Sequence, residues 1–548
     1  MSGTDRSYDT FRRTDSHELF AARRDLLLDL RSDLAAARSA FTWPRPETFN
    51  WALEWFDVVA AGNSRPALEL NAADGSATEV TYEELSSRSD QVANWLTGLG
   101  VRRGCRVLVV LGQQRELWET LLACLKLGAV VIPCYTSLTP AEAADRVGRG
   151  RVQVVVSRSD IAARFAGVDV EKRIAVGEAV AGWTAYQDSC AAPDRFVPDR
   201  PTPAADMAFA YFTSGTTSAP KLVTHTHASY PIGHLSSMYF NGLLPGDRHM
   251  NISAPGWAKH SWSSLFVPFS AEATLIVLAD GGPDPARLPR FLEERNVTSM
   301  CAPPSVWSQV VPHLADGRPR LREATSAGEP LPVPLADAVA EAWGVQVRDG
   351  YGQTETTALI GTTPGMRRKP GRLGKPLPGW GIRIEDGQVC VDLADRPAGI
   401  MRGYDGDEER TRAALGGGLY RTGDMAEADS DGYIRILGRS DDVFKSGGHR
   451  VSPYELEALL RSHPAVREAA VVPAEHPTLG QAPHAVVELS PGGTATAEEL
   501  LAHVDDLVTP ALRVHTVRFT DRLPRTVSGK IRRAAVRPEA APAFNCSL

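Results

Sequence analysis

The sequence predicts a large α/β body with parallel sheets covered by helices, followed by a small α+β C-terminal domain. From residue 100 onward, short runs rich in valine and isoleucine alternate with helical patterns, which is typical of parallel strands joined by crossover helices. Near residue 440 this pattern changes to a compact piece with two helices and two strands. Because 548 residues are too many for one ordinary domain, we expect a body over residues 1–440 and a small domain over 441–548.

Apolar residues recur at helical spacing near the beginning of the chain. Leu19, Phe20, Leu27 and Leu30 follow this spacing, which predicts an amphipathic helix over residues 17–39. Arginines lie among them, so the expected role is packing on the surface of the body. A membrane or partner role is the less favoured alternative.

The alternation places the following elements along the chain. The body is predicted to contain strands at residues 106–111, 129–133, 152–156 and 207–212, helices at 116–126 and 141–147, and a connector at 189–206. The small domain is predicted to contain helices at residues 454–462 and 498–507 and strands at 469–472 and 485–489. Ligands of parallel sheets bind at the carboxyl ends of the strands, so the loops that follow the strands are the candidate functional segments.

Composition excludes several classes of protein. The net charge is −7 and no long basic stripe occurs, so a nucleic-acid partner is not expected. The longest apolar stretch, residues 121–135, is interrupted by Lys126 and is too short to span a bilayer. The seven cysteines are scattered and form no CxxC pair, which favours a reducing compartment. With no signal peptide in residues 1–45, we expect a cytoplasmic protein.

The loop at residues 213–221 directly follows the apolar run at 207–212. Its members before the final Ala-Pro-Lys are Thr213, Ser214, Gly215, Thr216, Thr217 and Ser218. Small hydroxyl residues and glycine allow backbone N–H groups to surround phosphate oxygens, and Lys221 adds a positive charge. The GK[ST] ending of a Walker loop is missing. Taken alone, the loop is either a phosphate site or a flexible linker.

Further motifs follow in a characteristic order. They are Asp349-Gly350-Tyr351-Gly352-Gln353-Thr354-Glu355, Tyr420-Arg421-Thr422-Gly423-Asp424, Gly438-Arg439-Ser440-Asp441-Asp442, Lys445-Ser446-Gly447-Gly448-His449-Arg450 and Thr526-Val527-Ser528-Gly529-Lys530. Together with the phosphate loop, they closely resemble the AMP-forming acyl-CoA synthetases of the adenylate-forming superfamily, from about residue 49 to about residue 536. Residues 251–257 and 349–357 resemble the medium-chain branch.

This resemblance implies roles in ATP binding and activation of a carboxylate. Residues 213–218 and Lys221 resemble the loop that holds the β- and γ-phosphates, Thr354 an α-phosphate contact, and Glu355 the Mg²⁺ ligand. The implied adenine pocket comprises Gly328, Glu329, Pro330, Asp349, Gly350, Tyr351, Gly352 and Gln353, with Tyr351 as the stacking ring. Asp424 resembles the ribose-binding carboxylate, Arg439 a nucleotide contact, and Lys530 the catalytic lysine.

The resemblance also implies a second step with coenzyme A. Asp441 resembles the hinge about which a mobile small domain turns. Residues 445–450 would then face the site, with Gly447, Gly448 and Arg450 as coenzyme A contacts. The acid is expected to be apolar (medium-chain, aromatic or polycyclic) and to bind near Trp257, His260 and Trp262, although Trp262 is equally compatible with the core. A role in secondary metabolism is suggested by composition alone.

One position of the phosphate loop departs from the family. Ser218 stands where the family usually has glycine, and a side chain there either strains the backbone or crowds the triphosphate. The main prediction is a complete acyl-CoA ligase. The first alternative is an enzyme that forms only the thioester, from an acyl adenylate supplied by a separate adenylating enzyme. Loading of a carrier protein and a non-catalytic nucleotide sensor are lesser alternatives.

Overall fold

The computed structural model describes residues 9–213, 221–279, 284–505, 507–508, 512–525 and 531–536. Contacts divide these residues into two units. The first contains the described residues up to Thr213, together with Lys221–Gly381 and Asp392–Leu419, and the second contains Ile382–Val391 and the chain from Tyr420. The second unit thus includes residues that precede the boundary we predicted at residue 440. The role of Asp441 as a hinge refers to a movement of the small domain, and it stays a prediction.

The first unit contains a nine-stranded sheet. Its strands, in spatial order, are Lys375–Pro376, Ala358–Gly361, Val347–Gly352, Glu323–Ala327, Ser299–Cys301, Arg248–Asn251, Thr274–Leu278, Pro66–Asn71 and Ala77–Thr81. The six strands from Val347–Gly352 to Pro66–Asn71 are parallel, and antiparallel strands flank them on both sides.

A second, eight-stranded sheet belongs to the same unit. Its strands, in spatial order, are Gly403–Tyr404, Lys221–Thr226, Met207–Thr213, Val130–Pro133, Arg106–Val110, Val154–Arg158, Lys172–Val176 and Thr184–Ala185. Strands Val130–Pro133 and Val154–Arg158 flank Arg106–Val110 in parallel and are nearly all apolar. A strand of this kind is covered on both faces. The predicted α/β body with parallel sheets is therefore confirmed.

Helices connect and cover these strands. The longer ones of the first unit are Asp15–Asp29, Leu34–Ala40, Tyr82–Gly98, Arg115–Leu127, Pro140–Gly150, Ser229–Asn241, Leu288–Glu294, Pro304–Val310, Val333–Trp343 and Glu408–Leu415. Shorter helical segments are Ala52–Phe56, Asp57–Ala60, Ser159–Phe165, Tyr186–Ala191, Ala258–Ser261, Trp262–Phe266, Val267–Ser270 and Val311–Asp316. Among the described residues, every helix is too short or too polar to cross a membrane.

The beginning of the chain differs from the prediction. The single helix expected over residues 17–39 is instead two helices, Asp15–Asp29 and Leu34–Ala40. The break arises because the Asp33 carboxylate accepts a hydrogen bond from the N–H of Ala36 at 3.0 Å, and an N-terminal cap of this kind starts a new helix. Phe20 and Leu27 are buried, so the first helix packs on the body as expected.

Lys126, the charge that interrupts the long apolar stretch, is fully buried. Its ammonium lies 2.7 Å from an Asp57 oxygen and 2.6 Å from an Asp90 oxygen. Arg12 reaches the other oxygen of Asp57 at 2.8 Å. Buried charges are retained only with partners of this kind, so the lysine joins the helix Arg115–Leu127 to the N-terminal segments.

The second unit is smaller, and its described residues form three sheets. A four-stranded sheet has the order Ile382–Glu385, Gln388–Asp392, Leu419–Ala428 and Ile434–Arg439, a hairpin pairs Phe444–Ser446 with His449–Val451, and a three-stranded sheet contains Val466–His476, Gly480–Leu489 and Thr516–Phe519. The helices Pro453–Arg461 and Ala497–Asp505 pack with the last sheet around a common core. The short helical turn Arg533–Ala535 follows. The predicted α+β character of the C-terminal domain is confirmed.

Several histidines of the first unit are buried and held neutral. Burial lowers the pKa of His225 and His249 to about 4 and that of His227 and His260 to about 3. The pKa of His234 is also lowered, well below its ordinary value, by burial. In the unfolded chain these side chains would bind protons near pH 6.5. Their contribution to stability is therefore present above pH 6.5 and is lost as the pH falls toward 4.

We expect the first unit to be less stable at pH 5 than at pH 7, by at least about 2 kcal/mol, since each such histidine contributes about 1.4 kcal/mol per pH unit. Three carboxyls oppose this trend, because burial raises the pKa of Glu54 and Asp349 to about 7 and also raises the pKa of Asp90, and each of them stabilises the fold as the pH falls. The five histidines outnumber them. All 11 tryptophans precede residue 382, so urea unfolding followed by tryptophan fluorescence reports on this unit. Equal or greater stability at pH 5 would contradict the assignment of neutral histidines.

Candidate active site

Glu355, the predicted Mg²⁺ ligand, lies beside the edge of the eight-stranded sheet. The hydroxyl of Tyr404 donates to Glu355 Oε1 at 3.1 Å, and the Nζ of Lys221 lies 5.1 Å from the centre of the Tyr404 ring. Tyr404 pairs with Val223 in an antiparallel register, and Val223 follows Lys221 on the same strand. The sheet thus places a lysine and a tyrosine around the carboxylate.

This arrangement fits a divalent cation that is shared with a ligand. A carboxylate oxygen is the kind of donor that Mg²⁺ prefers, and Mg²⁺ usually binds one or two carboxylates together with substrate phosphates. Among the described residues, no group of three or more His, Cys, Asp or Glu side chains is arranged to hold a metal ion. The role of Glu355 as a metal ligand stays a prediction.

Sequence analysis missed Tyr404. A single tyrosine after a glycine carries no pattern, and its role arises only from strand pairing with Val223. His225 was missed as a neighbour of Thr354 for a similar reason. Its Nε2 lies 2.7 Å from the carbonyl oxygen of Thr354, and because a carbonyl only accepts, this nitrogen donates. Burial lowers the pKa of His225 to about 4, so a neutral imidazole positions the Thr354 backbone.

The predicted adenine walls emerge from two adjacent parallel strands. Ala327 pairs with Gly350, so residues 328–330 and 350–353 leave the nine-stranded sheet at the same edge. Gly350 packs against Phe240, and an added Cβ at this position would overlap the ring. The two segments therefore lie close together, as a pocket formed by both requires.

Asp349 organises this edge through the backbone. Its carboxylate accepts from the N–H of Gly350 at 2.9 Å and from the N–H of Leu331 at 3.3 Å. Burial raises the pKa of Asp349 to about 7. These contacts indicate that Asp349 joins the two walls, while its predicted contact with the nucleotide stays a prediction.

The predicted ribose-binding pair lies in the second unit. Asp424 and Arg439 are direct partners across a hairpin, and their side chains approach to 3.4 Å. Arg439 also donates to the carbonyl of Thr422 at 2.9 Å. Gly423 has a φ of +75°, and a Cβ there would lie 2.8 Å from the guanidinium. Glycine at this position therefore allows the arginine to lie across the turn.

The predicted coenzyme A segment forms a tight hairpin. Ser446 pairs with His449, so Gly447 and Gly448 form the two-residue turn, with φ of +55° and +86°. Positive φ at both positions is what such a turn requires. The glycines therefore have a structural role in the turn, and close passage of pantetheine stays a prediction. The side chain of Arg450 lies outside the described residues.

The predicted acyl-binding residues lie on and before one helical segment of the first unit. Trp257 precedes the helix Ala258–Ser261, and Trp262 begins a π-helical stretch, Trp262–Phe266, a local distortion often found at functional sites. Both indoles are half-buried. His260 is buried, and its Nε2 lies 3.1 Å from Gln113 Oε1. This contact makes His260 a positioning residue for Gln113.

Both parts of the chain are similar to known proteins. Residues 56–404 match the AMP-binding enzyme family, and residues 455–530 match the C-terminal domain of AMP-binding enzymes. The chain belongs to the AMP-binding enzyme family. The sequence-based identification of an AMP-forming acyl-CoA synthetase in the adenylate-forming superfamily is thereby confirmed.

Relatives of this family resemble the chain over most of its length. The 4-hydroxybutyrate–CoA ligase 1 of Metallosphaera sedula is 36% identical to this chain. The similarity extends over 89% of this chain and 90% of that protein. The mitochondrial acyl-coenzyme A synthetase ACSM3 of Mus musculus is 30% identical, over 92% of this chain and 93% of its own. The structure of the anthranilate CoA ligase AuaEII in complex with anthranoyl-AMP aligns with a TM-score of 0.81 and 26% identity, over 90% of this chain and 97% of that one.

Some predicted residues of the family's motifs lie outside the described residues. These are Ser214, Gly215, Thr216, Thr217, Ser218 and Lys530. Their roles stay predictions from the sequence, as do the roles of the other site residues in binding ligands.

Proposed function

We propose that this protein is an ATP-dependent ligase that joins a largely apolar carboxylic acid to coenzyme A through an acyl adenylate. The observation that carries the proposal is the carboxylate of Glu355, held by Tyr404 beside Lys221, in a chain that matches an AMP-binding family. The AuaEII structure, a related CoA ligase, contains an acyl adenylate, which supports this intermediate. We retain a cytoplasmic location as part of the proposal.

In the first step, a carboxylate oxygen attacks the α-phosphorus of ATP, and the bond to pyrophosphate breaks. Both reactants are anionic, so positive charge from Lys221 and Lys530 lowers the barrier. Mg²⁺, when bound to Glu355, would neutralise charge on the phosphates. His225 holds the Thr354 backbone, the predicted α-phosphate contact, in place.

In the second step, the thiolate of coenzyme A attacks the acyl carbon, and the bond to AMP breaks. This step needs neither the β- and γ-phosphates nor the loop that holds them. We assign the segment at residues 445–450 to coenzyme A and retain Asp441 as the hinge of the small domain. We assign Asp424 and Arg439 to the nucleotide, and residues 328–330 and 349–353 to adenine.

The main alternative keeps only the second step. If Ser218 prevents productive alignment of ATP, the enzyme would form thioesters from an acyl adenylate made by a separate adenylating enzyme. Loading of a carrier protein is the lesser alternative. The intact Glu355, Lys221 and Lys530 favour the complete ligase.

Two reactions analysed by mass spectrometry separate these possibilities. One contains ATP, Mg²⁺, coenzyme A and a panel of free acids, and the other contains coenzyme A and the matching synthetic acyl adenylates. We expect acyl-CoA in both. Acyl-CoA from the adenylates alone, with ATP-dependent activity restored by Ser218→Gly, would establish the thioester-only enzyme. No acyl-CoA in either reaction would contradict the proposal.

A further inference from the structure

A cluster of buried polar atoms lies in the predicted acyl-binding region. Among the residues that the structure describes, Asn251 Oδ1, Ser253 Oγ, Lys259 Nζ and Trp262 Nε1 are buried without a hydrogen-bond partner. Asn251 and Ser253 are 7% and 8% exposed. Buried polar atoms are nearly always hydrogen-bonded in native proteins, and four such atoms within twelve residues are unusual. Such a concentration indicates a place for a ligand.

These atoms are near the carboxyl ends of parallel strands. Asn251 is the last residue of its strand and pairs with Cys301, the last residue of the neighbouring strand. The ammonium of Lys259 interacts electrostatically with Cys301 and with Glu329, which follows the strand Glu323–Ala327. The cluster is therefore at the edge of the sheet where ligands of parallel sheets bind.

Lys259 and Trp262 lie on one side of their helical segment. The backbone N–H of Trp262 donates to the carbonyl of Lys259, and residues three apart on a helix are neighbours. The ammonium and the indole N–H are both donors only. A ligand that satisfies them must therefore present an oxygen that accepts hydrogen bonds.

The free-energy cost of burying the Lys259 ammonium also indicates a ligand at this place. Removing an ammonium from water without a partner costs several kcal/mol, and burial lowers the pKa of Lys259. The groups that face it are Glu329 and Cys301, both of which raise this pKa, and His249, whose own pKa of about 4 keeps it neutral. An acceptor oxygen from a ligand would recover the lost interaction.

We infer that the acid substrate carries a second oxygen group, a hydroxyl or a carboxylate, besides the reacting carboxylate, and that Lys259 Nζ and Trp262 Nε1 bind it. This inference rests on the proposed function and specifies its acid. The rest of the acid remains apolar. Asn251 and Ser253 would complete the hydrogen bonds of a hydroxyl.

Matched acids and two variants of Lys259 test whether a second oxygen group is bound. The acids are unbranched, of four and six carbons, each as the plain acid, the terminal hydroxy acid and the terminal dicarboxylic acid. Acyl-CoA formation is measured both from ATP and from the corresponding synthetic adenylates, for the wild-type protein, Lys259→Met and Lys259→Arg. We expect wild-type kcat/KM to be at least tenfold higher for one class of substituted acid than for the plain acid. Lys259→Met should reduce that ratio at least tenfold, and Lys259→Arg should retain part of it. Comparison of the hydroxy acids with the dicarboxylic acids identifies which oxygen group is bound.

Stability provides a second readout. Since Lys259 Nζ has no hydrogen-bond partner within the described residues, Lys259→Met should leave the thermal unfolding temperature unchanged or raise it. A large decrease would mean that the ammonium serves the fold, and would overturn the inference. A wild-type preference for plain acids, or an equal loss on all acids in Lys259→Met, would overturn it while the proposed ligase stands. Failure of every acid and every adenylate would instead overturn the proposed function, and the inference with it.

Discussion

Replacing Glu355 by alanine is expected to lower ATP-dependent acyl-CoA formation by at least about 100-fold. A carboxylate that holds a phosphate-bridging metal stabilises charge in the transition state by several kcal/mol, and each 1.4 kcal/mol corresponds to a tenfold change in rate. Tyr404→Phe is a graded control, because it removes only the 3.1 Å hydrogen bond to Glu355. A hydrogen bond to a charged group contributes about 1.5–3 kcal/mol, so a decrease of roughly tenfold is expected.

The synthetic adenylate separates this effect from misfolding. Thioester formation from an acyl adenylate uses no phosphate-bound metal, so both variants should retain it within about threefold. Raising the Mg²⁺ concentration should partly recover Tyr404→Phe, because the carboxylate remains. Equal losses with ATP and with the adenylate would contradict the assignment of Glu355 to the metal and would indicate damage to the fold.

Arg533→Met is expected to destabilise the second unit by about 3–5 kcal/mol. This is the usual cost of removing one partner of a buried ion pair while the other partner stays buried. The guanidinium donates to both oxygens of Glu457, at 2.9 and 2.6 Å, and to Asp442 at 3.1 Å. It also lies 4.3 Å from the centre of the Tyr454 ring. Glu457 is 1% exposed, so removal of the arginine leaves a buried carboxylate uncompensated.

Hydrogen exchange in the helix Pro453–Arg461 and the strand Val466–His476 would measure this loss in the full chain. Arg435→Met is the matched control, since Arg435 forms two exposed pairs, with Glu427 and with Glu455 of the same helix, each of which should contribute only about 0–1 kcal/mol. A double change of Arg533 and Glu457 to methionine should recover much of the stability, because it removes both charges. If Arg533→Met and Arg435→Met had the same small effect, the ion pair would not hold the unit together.

Arg533 also connects two segments that the sequence marks as functional. It follows Lys530 by three residues, and its partner Asp442 follows the predicted hinge residue Asp441. Both Asp442 and Arg533 belong to the second unit, so the ion pair joins the segment after the predicted hinge to the turn that follows the predicted catalytic lysine in sequence. Loss of Arg533 should therefore also slow ATP-dependent activation.

Elements defined by local pattern were predictable. The strands Arg106–Val110 and Val154–Arg158 are nearly continuous apolar runs, and this composition identifies a strand buried on both faces. The helix Arg115–Leu127 has the matching 3.6-residue periodicity. The N-terminal helix was predicted as one because apolar spacing continues through residues 30–33, while the cap at Asp33 acts within a single turn.

The sequence by itself determined the family and the two-part organisation and predicted the segments that carry the chemistry, because glycine turns, hydroxyl loops and apolar runs are local properties. Only the tertiary structure decided which side chains support them. Tyr404 lies 49 residues from Glu355, His225 lies 129 from Thr354, and Arg533 lies 76 from Glu457. Contacts over such separations leave no periodic signal, since strand pairing and burial create them. The Lys259 ammonium, which has no hydrogen-bond partner among the described residues, belongs to the same class, because its surroundings depend on everything that folds around it.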